Sequence, residues 1–153
     1  MKGFVFRDDL VGPWVCERTG GEWVHGLDTT IGLADGDELV AGVVYSDWNG
    51  ANIFMDVAAQ PGKRWLNRGF LWMAFHYPFV QLKCKRVSGV VAADNASARK
   101  FNEHLGFTLE AVLKDAHPHG DLLVYRMLRE DCRWLALRSP HHHGKEELGT
   151  CGA

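Results

Sequence analysis

The sequence predicts an α/β domain built on one mixed sheet: an antiparallel meander first, then a splayed parallel strand pair, with helices on both faces. Three observations lead there. Short β-branched and aromatic runs fill residues 1–57, helical patterning dominates 65–77 and 96–105, and a strand on each side of the first long helix forces a crossover. A strand–helix–strand crossover within one sheet makes its two strands parallel.

Taken in order, Met1 to Phe6 reads as a first strand. Leu10 to Arg18 reads as a short helix, interrupted near Gly12-Pro13 and stopped at Gly20-Gly21. Thr29 to Ala34 is a strand, Asp35-Gly36-Asp37 its turn, and Glu38 to Trp48 the next strand, rich in Val40, Val43, Val44 and Tyr45. Asn49-Gly50 reads as a two-residue hairpin turn. Ala51 to Val57 then alternates, with Ile53, Met55 and Val57 on one face and Asn52, Phe54 and Asp56 on the other.

Trp65 to Tyr77 reads as a helix that Pro78 ends or kinks. Arg86 to Ala92 is a short strand. Asp94-Asn95 caps a helix in which Ala98, Phe101 and Leu105 recur at helical spacing before Gly106. Phe107 to Leu113 and Leu122 to Leu128 form a last strand pair around the turn His117-Pro118-His119-Gly120, and Glu130 to Leu137 reads as a terminal helix. The expected organisation is one domain over residues 1–138 and a disordered tail over 139–153.

Composition narrows the function. At 46% hydrophobic and 24% charged residues the chain is globular in type, and no apolar run reaches the ~18–20 residues of a membrane span. The opening MKGFVFRDDL turns acidic too early for a signal peptide, which favours a cytoplasmic protein with reduced cysteines. Cys16, Cys84, Cys132 and Cys151 are isolated, and His141 to His143 lie in a polar stretch after Pro140, so no metal is expected.

The net charge of −2 is unevenly spread. Residues 1–56 carry ten acidic and three basic side chains, whereas residues 57–93 carry six basic and none acidic. The basic stretch contains KRWLNRGF, a polar loop leading into a helix, where unpaired N–H groups and the helix dipole favour a phosphate. Arg64 and Arg68 add charged donors, and Gly69 permits close backbone approach. No P-loop and no G-x-G-x-x-G follows any strand.

RWLNRG followed by Asn95 and, eleven residues on, Gly106-Phe107 resembles the GNAT acyltransferase superfamily. Its pyrophosphate loop reads Q/R-x-x-G-x-G/A, with Arg64 first, Asn67 at the first glycine position and Gly69 at the second. The end, GFTLEAVLKDA…GDLLVYRML, is similar to the Rim-type N-terminal acetyltransferases, with Ala111 at a usual glycine, and YRMLREDCRWL to short phage and prophage acetyltransferases. The resemblance spans about Ala51 to Trp134.

That resemblance implies acetyl-CoA as cofactor, held by Val57, Ala59, Arg64, Trp65, Asn67, Arg68, Gly69, Phe70, Asn95 and Asn102. It implies direct attack on the thioester by a primary amine of a small molecule, peptide or protein. Asp56 is the expected general base, with Asp47 and Glu110 as alternatives. The usual proton donors are absent, since Asn102 stands at the customary Tyr and Ala98 at the customary Ser, which leaves Tyr125 as the substitute acid. A non-catalytic acyl-CoA-binding domain is the runner-up, a nucleic-acid partner ranks lower, and a homodimer is left open.

Replacing Arg64 or Arg68 by Ala is expected to weaken acetyl-CoA binding by about 1.5–3 kcal/mol for each charge-assisted hydrogen bond removed. Calorimetric titration of each variant measures this.

Overall fold

A computed structural model describes residues 2–63 and 67–136. Seven strands form one sheet in the order β1-β2-β3-β4-β5-β7-β6. They are β1 (Lys2–Val5), β2 (Thr29–Asp35), β3 (Glu38–Ser46), β4 (Asn52–Ala59), β5 (Arg86–Ala92), β6 (Thr108–His117) and β7 (Gly120–Leu128). The helices are α1 (Asp8–Thr19), α2 (Arg68–His76) and α3 (Ala96–Leu105). Every neighbouring pair is antiparallel except β4 and β5, which run parallel. The mixed sheet, the meander and the parallel pair are those the sequence predicts.

Alternation along the strands divides the sheet into two faces. On one, Ile31, Val43, Tyr45, Ile53, Met55, Val87, Val91, Leu123 and Tyr125 form the main core with Phe70, Leu71, Ala74 and Phe75 of α2 and Leu105 of α3. Phe75 lies within 6.5 Å, centroid to centroid, of Phe79, Phe107 and Trp134. The other face is covered by α1, through Val11 and Val15 against Val44 and Ala58.

α1 lies so close because the strands beneath it lack side chains where it crosses. Gly32 and Gly42 are direct cross-strand partners. A Cβ on Gly32 would meet Val11 Cγ2 at 2.7 Å, and one on Gly42 would meet Val15 Cγ2 at 2.7 Å and Val11 Cγ1 at 3.0 Å. β-Branched side chains on a helix have little rotamer freedom with which to yield. At its start, Asp8 Oδ1 accepts from the Thr30 backbone N–H and hydroxyl, at 2.9 and 2.7 Å, which fixes α1 against β2.

Several local expectations need correction. α1 is not interrupted at Gly12-Pro13 but runs through both. Pro13 is exposed, so the carbonyl that loses its helical partner lies on the hydrated side, while Gly12 is buried against the Trp23 ring. Asn49-Gly50 is not a two-residue hairpin loop. Residues 47–51 connect β3 to β4, Asp47 takes φ 54°, and Asn49 Oδ1 accepts from the N–H groups of Ala51 and Asn52. The asparagine shapes the connection through its side chain rather than through a type I′ backbone.

α2 begins at Arg68 rather than Trp65, and beyond His76 the chain passes into a π-helical turn over Tyr77–Gln81, where Pro78 withholds an N–H. In place of a terminal helix over 130–137 there are two 3₁₀ turns, Arg129–Asp131 and Arg133–Ala136. They carry Trp134 Nε1–H onto the Leu105 carbonyl at 2.8 Å, which satisfies an otherwise orphaned acceptor at the end of α3. The expected tail over 139–153 lies outside the described residues.

Gly42→Ala is expected to lower unfolding free energy by about 1–3 kcal/mol through overpacking against Val11 and Val15. The midpoint of a urea titration reports it.

Candidate active site

The parallel pairing of β4 with β5 is short. Asn52, Ile53 and Phe54 pair with Arg86, Val87 and Ser88, and beyond that the strands exchange no ladder pairs. β4 continues to Ala59 and β5 to Ala92, so their carboxyl-terminal halves diverge. The gap opens into a cleft of about 770 Å³. Gly89 stands at the fork, where a Cβ would come within 3.7 Å of Asn102 Oδ1 and 3.8 Å of the Met55 carbonyl.

The closed end is held by a polar chain on the α1 side of the sheet. Ser88, 2% exposed, donates its hydroxyl to Asn52 Oδ1 at 2.6 Å and accepts from Arg86 Nε at 3.1 Å. The Arg86 guanidinium then forms two bonds to Glu110, at 3.2 and 2.7 Å, and Arg126 approaches the same carboxylate at 3.6 Å. Hydrogen bonding from Arg86 holds the Glu110 carboxyl below its ordinary range. Glu110, an alternative base on sequence grounds, thus belongs to the clamp. Asp47 lies in the β3–β4 connection and does not line the cleft.

The two mouths of the cleft differ in chemistry. On the α3 side lie Asn95, Ala98, Phe101 and Asn102. Asn95 caps α3, its Oδ1 accepting from Ala98 N–H at 3.1 Å, and Asn102 donates to the Ala98 carbonyl at 2.9 Å. Val57 and Ala59 line the β4 wall. Their strand pairs with β3 on one edge only along this stretch, so its β5-facing amides and carbonyls lack ladder partners and can take an extended, amide-bearing ligand.

On the α1 side Asp56 is paired with Val44 and faces the end of α1. Arg18, Thr19, Gly20 and Gly21 complete this wall. Gly20 closes the helix at φ 76°, and a Cβ on Gly21 would lie 3.5 Å from Asp56 Oδ2. Burial pushes the Asp56 carboxyl up from the usual range, and the nearby Asp28 carboxylate pushes it further. Asp28 is itself buried and accepts the Val24 N–H at 2.8 Å.

The remaining expected site residues that are described are not among those lining the cleft. Tyr125 does not line the cleft: it is fully buried and its hydroxyl meets Glu103 Oε1 at 3.4 Å. Phe70 is 1% exposed in the main core. Asn67 takes an extended backbone, φ −104°, as the N-cap of α2, and its Oδ1 accepts from Phe70 N–H at 2.6 Å. Gly69 is within the first turn of α2, where the N–H groups of Arg68 and Gly69 precede the first intrahelical bond, Leu71 N–H to Asn67 O. Arg64 and Trp65 lie outside the described residues. Among the described residues no cluster of His, Cys, Asp or Glu is arranged to hold a metal ion.

Among the solved structures that share this architecture are acetyltransferases. A mutant form of the spermidine/spermine N-acetyltransferase SpeG from Vibrio cholerae superposes with a TM-score of 0.68 at 14% identity, over 85% of this chain and 96% of that one. Another SpeG structure gives 0.59 at 18% identity over 69% and 67%, and a probable acetyltransferase 0.58 at 20% over 69% and 63%. The fold is the GNAT fold. No protein-family model and no curated protein matches the chain. One cleft residue, His117, gives no sign of its place in the sequence because it looks like part of a turn.

The raised Asp56 carboxyl has a consequence for stability. Between the unfolded-state value of about 3.9 and its higher folded value, the folded state binds more protons, so this group makes stability fall as pH rises. Asp56→Asn is expected to raise the melting temperature at pH 7, with the gain shrinking as the pH falls below that unfolded-state value. Thermal melts at both pH values test it.

Proposed function

We propose that the chain is an N-acetyltransferase that moves an acetyl group from acetyl-CoA to a primary amine. The splay of β4 from β5 carries this reading, because it gives one cleft a neutral polar side at α3 and a side with charged groups at α1. Acetyl-CoA would supply an activated thioester and, in pantetheine, an extended amide-bearing arm. The unpaired edge of β4 at Val57 to Ala59 suits that arm, and Asn95 and Asn102 lie across from it. The segment Arg64 to Gly69 would take the pyrophosphate, with the N–H groups of Arg68 and Gly69 as donors at the start of α2.

The amine would enter from the α1 side. An ammonium must lose a proton before it attacks, and in this reading Asp56 would receive it. Desolvation that raises its carboxyl brings it nearer to the proton affinity a base needs. The Asp56 carboxylate on this wall, with that of Asp28 near it, favours a cation, and the Arg18 guanidinium of the same wall is engaged by the Trp14 carbonyl and ring. Tyr125, fully buried and not among the residues lining the cleft, is given no role as acid in this reading. A thiolate leaves tolerably unassisted, given a free thiol pKa of about 8.5.

Acetyl-CoA is expected to bind in calorimetric titration, and free thiol to appear when primary amines are added. Asp56→Asn should lower turnover about 10²–10⁴-fold while leaving acetyl-CoA affinity unchanged. Binding without thiol release across amino acids, polyamines, aminoglycosides and peptide termini would favour an acyl-CoA-binding domain. Absence of binding sinks both.

A further inference from the structure

The β6–β7 hairpin brings a histidine to the cleft, and its local structure fixes what that histidine can do. Between Leu113 and His117 the register of β6 slips against β7. At the slip Asp115 takes φ 56°, a left-handed conformation that a non-glycine residue adopts at some cost. Two bonds through one residue hold it there: Asp121 Oδ1 accepts the Asp115 N–H at 2.8 Å, and the Asp121 carbonyl accepts the Ala93 N–H at 2.9 Å. The hairpin tip is therefore tied to the end of β5. Bulges of this kind re-aim side chains beside functional sites.

The side of the sheet follows from the register. His117 pairs with Gly120, two residues from Leu122 and so on the same face, whereas Leu123 and Tyr125 point into the main core on the α2 and α3 side. His117 thus projects on the α1 side and lines the cleft with Asp56 and the end of α1. Its Nδ1 accepts the backbone N–H of His119 at 3.2 Å. That bond places the proton of the neutral ring on Nε2. A ring so fixed has no free lone pair to act as a base, but it offers an N–H donor.

We infer that His117 is a positioning residue for the acceptor: its Nε2–H donates to an oxygen of the amine substrate, which is therefore an amine bearing a carbonyl or hydroxyl oxygen. The inference rests on the acetyl-transfer reading of the cleft. Peptide termini and amino alcohols have such an oxygen; a simple polyamine has none. An amide oxygen of the cofactor's own arm offers the same chemistry, but it would reach His117 from the opposite mouth.

The full chain, labelled with ¹⁵N-histidine and saturated with coenzyme A, separates these cases by NMR. Adding a tripeptide amide should shift the His117 Nε2 resonance while Nδ1 stays unprotonated, and spermidine should move neither. His117→Phe should weaken tripeptide-amide binding about tenfold, equivalent to ~1.4 kcal/mol, and His117→Gln, which keeps a donor, should restore most of it.

A protonated Nδ1, no response to the tripeptide amide, or an equal response to spermidine overturns the inference. So does weaker coenzyme A binding in His117→Phe, which would assign the oxygen to the cofactor. An Nε2 shift without thiol release from any amine upholds this hydrogen bond while removing the catalytic reading.

Discussion

Three ladder pairs and one buried hydroxyl decide where the sheet of this protein opens. Ser88 holds Asn52 across the β4–β5 junction and passes the connection through Arg86 to Glu110 on β6, so the strands are tied together at the closed end. Beyond Phe54 and Ser88 the two strands share no ladder pair. A parallel pair clamped at one end and free at the other must open in the direction of its carboxyl termini. Ligand sites in open α/β sheets gather at the carboxyl ends of strands for the same geometric reason.

The two faces of the sheet are packed differently. α2 and α3 fill one face with large side chains, Phe70, Phe75 and Leu105 among them, and set a rigid floor. α1 approaches the other face over Gly32 and Gly42 so closely that its carboxyl end reaches the mouth of the cleft beside Asp56. One helix therefore serves as lid to the sheet and as wall to the site. The absence of two side chains in β2 and β3 makes that possible, and the desolvation of Asp56 is its electrostatic result.

Much of the fold is legible in the sequence because it rests on local patterns. Alternation along residues 51–57, the cap at Asn95, the left-handed Gly106 and the helix between β4 and β5 each speak through their immediate neighbours. The departures share a cause. Pro13 reads as a break, yet it lies on the exposed side of a helix whose other side is held by packing. Residues 130–136 read as a helix from their composition, but Trp134 and Arg133 are drawn to the end of α3, and the chain turns to deliver them.

The sequence by itself determined the order of the strands and of the three α-helices, the parallel crossover, the cap at Asn95 and the strand face that carries Asp56. These are consequences of periodicity, capping and strand alternation, which act within a few residues. Only the tertiary structure decided that Tyr125 is buried against Glu103, that Glu110 belongs to a clamp, and that His117 enters the cleft. Each of those outcomes depends on which strands become neighbours and in what register. A slip of one residue in β6 turns a side chain to the other face, and no local signal in His-Pro-His-Gly records it.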